Sequence, residues 1–277
     1  MNMFERDVTL RSSAARVGGR WLIAPARCVV PKVRVVCFPY AGAGASAYFS
    51  WAQHLAKRDI ELWNVQLPGR ESRLCEPPVR VFSDMVQQLT DALRPLEAAN
   101  VPLAFFGHSL GALLAYEVAR HLARQDRRLP VGLFLSGRNA PSHRREPPRL
   151  HDLPPGELLD ALAKFGNMSE AIRKEPELVE LLIPALRADF ALLYDYHEGW
   201  DAADKEALPC RLTVFGGDHD PWTDIEGLAH WRQFVRGRYR LQTFAGGHFF
   251  INEFRRDLWD AIEEDLSEIG GIGSRRS

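Results

Sequence analysis

The sequence has few cysteines and no excess of either charge. Its four cysteines, Cys28, Cys37, Cys75 and Cys210, are far apart and form neither a CxxC pair nor a metal-ligand spacing. We therefore expect free thiols in a reducing compartment, with Cys37 buried in a strand. The 35 basic and 36 acidic residues leave a formal net charge of -1, so no overall field selects nucleic acid or an anionic membrane.

Long apolar runs are also missing from the sequence. No stretch approaches the roughly 20 apolar residues of a membrane span. The first thirty residues carry charges such as Glu5, Asp7 and Arg11 and contain no run long enough for a signal peptide. We expect a cytoplasmic protein with no membrane partner. The composition, 46% hydrophobic and 26% charged, is that of a globular protein, and 277 residues suffice for one large domain.

Short apolar runs alternate with longer stretches of helical period along most of the chain. This alternation predicts a mostly parallel central sheet flanked by helices, in the α/β class. The predicted strands are 33–38, 61–66, 103–106, 132–136, 211–215 and 239–244. The predicted helices are 46–57, 82–97, 110–125, 224–235 and 253–267. The nearly continuous apolarity of most of these strands indicates that helices cover both faces of the sheet.

One domain is expected, at 21–268, between a mobile amino-terminal extension at 1–20 and a flexible tail at 269–277. Residues 144–205 interrupt the alternation because they contain helical segments, at 155–165 and 176–196, but no good strand. An insertion at this point predicts a helical lid over the carboxyl ends of the strands, where α/β sheets bind ligands. Extra packing against the sheet is the alternative.

The segment Gly107-His108-Ser109-Leu110-Gly111 matches the G-x-S-x-G pattern of a nucleophile elbow. An apolar run precedes it and strong helix formers follow it, which gives the strand, turn and helix that the elbow requires. The two glycines avoid collisions at the sharp turn. We therefore predict Ser109 as a nucleophile, with the Leu110 amide at a helix amino terminus as an oxyanion donor. An ordinary serine in a tight turn is the alternative.

A serine nucleophile needs a histidine base and an acid, which follow it in the chain order of α/β hydrolases. His248, in a glycine-rich loop after the last predicted strand, is our candidate base, ahead of His219 and His108. We expect His108 to point away from Ser109 and to be buried and hydrogen-bonded. The loop after strand 211–215 holds two carboxylates; we favour Asp220 as the acid, and Asp218 remains open.

The loop after the first predicted strand is rich in small residues and opens a helix. In this fold a second oxyanion amide comes from that loop, and Ala41 is our candidate.

Five segments make the chain resemble the type II thioesterases, and their order and spacing also agree with that family. They are Phe38-Pro39-Tyr40-Ala41-Gly42, Gln66-Leu67-Pro68-Gly69-Arg70, Phe106-Gly107-His108-Ser109-Leu110-Gly111-Ala112, Leu186-Arg187-Ala188-Asp189 and Gly246-Gly247-His248-Phe249-Phe250. The resemblance covers roughly 21–265. It departs from the family pattern at Ala43, commonly a second glycine, and at Leu110, often Met, and neither change removes a catalytic group.

The resemblance implies an editing enzyme of polyketide or nonribosomal peptide synthesis with the α/β-hydrolase fold. Such an enzyme hydrolyses stalled acyl groups from the phosphopantetheine arm of an acyl or peptidyl carrier protein, without metal or bound cofactor, and we expect a monomer. An esterase or lipase, an acyltransferase or cyclising release enzyme, and a binding protein without chemistry are the alternatives.

Two further groups of residues are hypotheses. Carrier proteins are usually acidic, so a basic rim is expected, with candidates Arg138, Arg144, Arg145 and Arg149; a solvated loop is the alternative. Apolar lid residues could bound the acyl pocket, with candidates Phe165, Phe190, Leu193 and Tyr194; core packing is equally compatible.

Overall fold

An eight-stranded sheet forms the centre of the protein. The computed structural model describes residues 15–17, 19–143, 148–164, 174–201 and 206–270. The strands are β1 Ala15–Val17, β2 Leu22–Ala24, β3 Val33–Phe38, β4 Ile60–Val65, β5 Leu103–His108, β6 Gly132–Ser136, β7 Arg211–Gly217 and β8 Tyr239–Phe244. Their order in the sheet is β1-β2-β4-β3-β5-β6-β7-β8. Strands β3 to β8 run parallel, whereas β1 and β2 join antiparallel at one edge.

Helices cover both faces of the sheet. They are α1 Phe49–Ala56, α2 Phe82–Ala92, α3 Arg94–Glu97, α4 Leu110–Arg124, α5 Pro155–Lys164, α6 Pro176–Gly199, α7 Ile225–Ala229, α8 Phe250–Glu253 and α9 Arg255–Gly270. One buried cluster joins α2 and α4 to the sheet, and a second joins α1 and α9 to its other face. Strands β4, β5 and β6 are buried at every residue, as their apolar sequences predicted. The predicted α/β fold class is confirmed.

The strand order brings two loops of interest together. β3 lies between β4 and β5, so the connections leaving β3 and β5 run to opposite sides of the sheet. The crevice between the carboxyl ends of two such strands is where open α/β sheets bind ligands. The small-residue loop after β3 and the elbow after β5 border this crevice.

The amino-terminal region contains structure that the sequence did not indicate. Residues Ala15–Val17 pair antiparallel with Leu22–Ala24, which in turn pairs with β4. The expectation of a mobile extension at 1–20 therefore does not hold at 15–17. Strands of three residues are too short for a period to show in the sequence, so neither was predicted. Residues 1–14 and 18 lie outside the described residues.

The carboxyl-terminal helix is also longer than predicted. α9 ends at Gly270, so the first two residues of the expected tail at 269–277 are helical. Residues 271–277 lie outside the described residues.

The insertion consists mainly of α5 and α6 in its described parts. It has a small apolar cluster of its own, formed by Leu150, Leu158, Leu162 and Leu186. Further along α6, Leu192 and Leu193 belong to the main hydrophobic cluster, the one that joins α2 and α4 to the sheet. The insertion is therefore tied to the domain by one long helix.

The thiols are unpaired and no membrane segment is found in the described chain. All four cysteines are free, and Cys37 is a core residue of the second cluster, as expected. Burial raises the pKa of the Cys37 thiol well above its ordinary value. Among the described helices, none combines the length and the apolarity that a bilayer crossing requires.

Candidate active site

Ser109 occupies a strained turn between β5 and α4. Its backbone has φ 55° and ψ -114°, a left-handed conformation that is unusual for a residue with a side chain. The Ser109 amide donates to the Ser136 carbonyl at 2.8 Å, which ties the turn to the neighbouring strand β6. Leu110 begins α4, so its amide lies among the first amides of a helix, which have no partner within that helix. The predicted elbow geometry is present.

Two glycines make the turn possible. A Cβ atom at Gly107 would lie 2.0 Å from the carbonyl oxygen of Gly111. One at Gly111 would lie 2.1 Å from the Phe38 carbonyl oxygen on β3. Both distances are far inside van der Waals contact with rigid backbone, so only glycine allows α4 to start this close to β3 and β5.

Asp220 and His248 meet at the carboxyl edge of the sheet. Asp220 lies in the turn after β7 and His248 in the loop after β8, and Nδ1 of His248 is 2.8 Å from Oδ2 of Asp220. The same carboxylate accepts from the Trp222 amide and the Thr223 hydroxyl, each at 2.9 Å. Because an ionised carboxylate only accepts hydrogen bonds, Nδ1 carries the proton and Nε2 keeps its lone pair.

The competing residues form a separate pair on the surface. Nδ1 of His219 lies 2.6 Å from Oδ1 of Asp218, and both side chains are largely exposed. Asp218 Oδ1 also accepts from the Gly246 amide at 2.8 Å, a bond that lowers the pKa of Asp218 more than any other contact. Asp218 thus supports the loop that carries His248 and makes no contact with its imidazole.

His108 is fully buried and turned away from the cavity, as expected. Its Nδ1 lies 3.0 Å from the Ser136 hydroxyl, and its ring centroid is 4.8 Å from that of His248. Burial, followed by repulsion from a charged His248, lowers the pKa of His108 well below the ordinary 6.5. His108 is therefore neutral under the imidazole of His248.

A cavity of about 440 Å³ opens above Ser109 and His248. Ala41 borders it beside Ser109, and Leu162, Phe190, Leu193 and Trp200 of the insertion form much of its wall. The insertion therefore lies over the carboxyl ends of the strands, where the lid was predicted. This volume is typical of small-molecule sites.

Two of the four residues that were expected to bound the acyl pocket line the cavity. Phe190 and Leu193 line the cavity, whereas Phe165 lies outside the described residues. Tyr194 is not part of the cavity wall; it packs against His151 and Arg149 instead. One residue step turns a helix by about 100°, so Tyr194 leaves the face that Phe190 and Leu193 share. Tyr196 lines the cavity in its place.

The structure describes two of the four arginines that were predicted to form a basic rim. Arg138 lines the cavity and is half-buried, so it lies closer to a bound acyl group than a residue of a purely outer rim would. Arg149 is exposed, stacks on the Tyr194 ring at 4.5 Å and donates to its hydroxyl. Arg144 and Arg145 lie outside the described residues.

A buried ion pair connects the insertion to the loop bearing Ala41. Arg70 binds Asp189 of α6 through two hydrogen bonds, at 2.6 and 2.7 Å. Asp189 also accepts from the Gly42 amide at 2.8 Å, and Arg70 donates to the Ala43 carbonyl at 3.1 Å. These two residues position the loop after β3. The sequence analysis assigned neither residue a role, although both stand in segments that carry the family resemblance.

In the described part of the chain, Ser109 Oγ makes no hydrogen bond to His248. Such bonds are often long before substrate binds, so the arrangement is compatible with a base and its nucleophile. Among the same residues, His143, Glu226 and His230 place possible metal-ligand atoms within 4.8 Å of one another. His143 lines the cavity and also bonds Asp224 at 3.2 Å.

Known proteins share this fold and sequence. The thioesterase-domain family model matches residues 33–267. The gramicidin S biosynthesis protein GrsT of Aneurinibacillus migulanus is 34% identical over 247 residues, which cover 89% of this chain and 94% of GrsT.

Two solved structures are similar over almost their whole length. The type II thioesterase BorB from the borrelidin biosynthetic cluster superimposes with a TM-score of 0.80 at 31% identity, covering 91% of this chain and 99% of BorB. The RedJ thioesterase from the prodiginine pathway of Streptomyces coelicolor gives 0.77 at 32%, covering 87% and 95%. The resemblance to type II thioesterases is confirmed, and the chain belongs to the thioesterase family.

Proposed function

We propose that the protein hydrolyses acyl thioesters on the phosphopantetheine arm of carrier proteins, with Ser109, His248 and Asp220 as its catalytic triad. The observation that carries this proposal is the 2.8 Å pair of His248 and Asp220, bordering the same cavity as the strained Ser109. In a chain of the thioesterase family, this combination favours acyl transfer through a serine ester.

The first half of the reaction forms an acyl-enzyme. His248 Nε2 takes the Ser109 proton while Oγ attacks the thioester carbonyl carbon. The amides of Leu110 and Ala41 hold the resulting oxyanion. Collapse of the tetrahedral intermediate breaks the carbon–sulfur bond, and the pantetheine thiol leaves with the proton that His248 returns.

Water completes the cycle in the second half of the reaction. His248 takes a proton from water, which attacks the acyl-serine, and the proton is returned to Ser109 as the free acid leaves. In both halves Asp220 keeps the imidazole in one tautomer and stabilises its charged form. The Trp222 amide and the Thr223 hydroxyl donate to the Asp220 carboxylate and hold it in place beside the imidazole.

The proposed partner is an acyl or peptidyl carrier protein of a polyketide or nonribosomal peptide synthase. The names of the relatives support this, because GrsT is a gramicidin S biosynthesis protein and BorB comes from the borrelidin cluster. Exposed Arg149, at the start of the insertion, is a candidate contact for an acidic carrier surface.

Substrate comparison separates this function from its alternatives. We expect an acyl-pantetheine thioester to be hydrolysed with a much higher kcat/KM than the matched oxygen ester, with free acid as the product. A preference for the oxygen ester would favour an esterase. Transfer of the acyl group to an added alcohol or amine in place of water would favour a release enzyme.

A further inference from the structure

Arg138 brings a positive charge to the cavity wall. Its side chain is half-buried, and it follows β6, the strand beside the one that carries Ser109. Among the described residues no carboxylate forms an ion pair with its guanidinium. A guanidinium is charged at any physiological pH, so this cation is partly removed from water with no counter-charge from the part of the chain that the structure describes.

The carboxylate that binds Tyr196 is paired with another arginine. Tyr196 lines the cavity close to Arg138, and its hydroxyl donates to Glu117 Oε1 at 2.9 Å. Arg120 donates to both oxygens of the same carboxylate, each at 2.9 Å. The charge of Glu117 is therefore balanced by Arg120.

Backbone bonds fix the position of Arg138. The Gly137 amide donates to Phe215 at 2.9 Å, the Trp231 indole donates to the Arg138 carbonyl at 2.7 Å, and the Ala140 amide donates to Gly227 at 2.9 Å. The loop is held on both sides of Arg138. Binding a ligand would therefore order only the Arg138 side chain and not the loop that carries it.

The Arg138 guanidinium lies near Tyr196 in the cavity wall, and the partner of Tyr196 indicates its distance from the nucleophile. Glu117, which binds the Tyr196 hydroxyl, is eight residues after Ser109 on α4. Eight residues correspond to about 12 Å along a helix axis. The cavity wall also contains apolar side chains such as Leu113, Phe190 and Leu193. An aliphatic chain attached at Ser109 can therefore lie against apolar side chains and end near Arg138.

We propose that Arg138 binds a carboxylate at the far end of the acyl chain, so that the enzyme prefers acyl groups that carry a second, free carboxylate. This inference rests on the proposed thioesterase function and specifies its substrate class. A guanidinium pairs with a carboxylate through two parallel hydrogen bonds, which a neutral chain end cannot supply. An uncharged aliphatic chain would instead bury the cation further without compensation.

The test compares two series of pantetheine thioesters. One contains half-thioesters of dicarboxylic acids from succinyl to sebacyl, and the other contains their methyl esters at the far end. At the best chain length, we expect the wild-type kcat/KM for the free carboxylate to exceed that of its methyl ester by about tenfold to a hundredfold, the effect of a charged hydrogen bond. Arg138→Met should abolish this preference and leave methyl-ester hydrolysis near the wild-type rate.

A matched control uses Arg128, an exposed arginine before the opposite, amino-terminal end of β6. Arg128→Met should retain the wild-type preference. Equal wild-type rates for acids and methyl esters at every length would overturn the proposal, even if Arg138→Met fails to fold. An equal loss for both series in Arg138→Met would also overturn it, since that indicates a structural role. If no thioester of either series is hydrolysed, the proposed function fails together with this inference.

Discussion

The two carboxylates of the turn after β7 have different partners, although only one residue separates them. Asp220 binds the buried His248, whereas Asp218 binds exposed His219 and the Gly246 amide. We predict that Asp220→Asn lowers kcat by about 10⁴-fold, because an amide at this position favours the wrong imidazole tautomer. Steady-state hydrolysis of an acyl-pantetheine measures this loss.

Asp218→Asn is the matched control. It keeps an oxygen that accepts from Gly246 and alters only an exposed charge, so we expect less than about a fivefold change in kcat. A larger loss of kcat in Asp218→Asn than in Asp220→Asn would show that Asp218, and not Asp220, is the acid of the triad.

His108 makes folding stability depend on pH. In the unfolded chain a histidine binds its proton near pH 6.5, whereas burial lowers the pKa of His108 in the folded protein. Between these two pKa values the unfolded state binds more protons, so stability is lost as pH falls below about 6.5. We predict that the wild-type Tm falls between about pH 7.5 and pH 5.5, and falls less in His108→Asn.

The control for this prediction is His121→Asn, on the surface of α4, which should keep the wild-type dependence. Thermal melts followed by circular dichroism at several pH values measure the slope. The same slope in His108→Asn and wild type would show that His108 does not contribute.

At the level of the elements, the pair of Arg70 and Asp189 joins α6 to the loop after β3. Removing one partner of a buried pair leaves an uncompensated charge and costs about 3–5 kcal/mol. We predict that Asp189→Asn lowers the free energy of unfolding by about this amount and also lowers kcat, because Gly42 and Ala43 neighbour the proposed oxyanion amide. Urea unfolding and acyl-pantetheine hydrolysis measure the two effects.

Asp91→Asn provides a surface comparison. Asp91 pairs with Arg94 in an exposed position, where an ion pair contributes at most about 1 kcal/mol. Equal destabilisation by the two substitutions, or full activity in Asp189→Asn, would contradict the role given to the buried pair.

The sequence predicted the parallel strands better than the two antiparallel strands at one edge of the sheet. The six parallel strands were found because each is an apolar run bounded by turn residues, and three have the predicted bounds. β1 and β2 were missed because three residues cannot show a period, and they are strands only through pairing with β4. Predicted helix 224–235 is α7 followed by a 3-10 helix at His230–Phe234, a difference that periodicity cannot resolve.

Site residues were predictable where they lie in local motifs. Ser109 is a candidate because of its glycines and His248 because of its loop, since both patterns are short in sequence. The bond between Arg70 and Asp189 spans 119 residues, and no local pattern indicates such a contact. For the same reason the sequence indicated only that Arg138 lies near the active-site mouth, and not that it lines the cavity.

At the scale of the whole molecule, the fold joins three chain regions around one cavity. The loops after β3 and β5 contribute Ala41 and Ser109, those after β7 and β8 contribute Asp220 and His248, and the insertion covers them. A long pantetheine arm can carry an acyl group into such a cavity while its carrier protein stays outside. The account therefore requires that hydrolysis act on the carrier-bound thioester and depend on Ser109.

Intact-protein mass spectrometry of an acyl-loaded carrier protein tests this requirement most directly. With the wild-type enzyme we predict loss of the acyl mass, return of the carrier to its free-thiol form and release of the free acid. Ser109→Ala should leave the acyl carrier unchanged, apart from the slow background in buffer. An acyl carrier that survives the wild-type enzyme, or is hydrolysed equally by Ser109→Ala, would contradict the account.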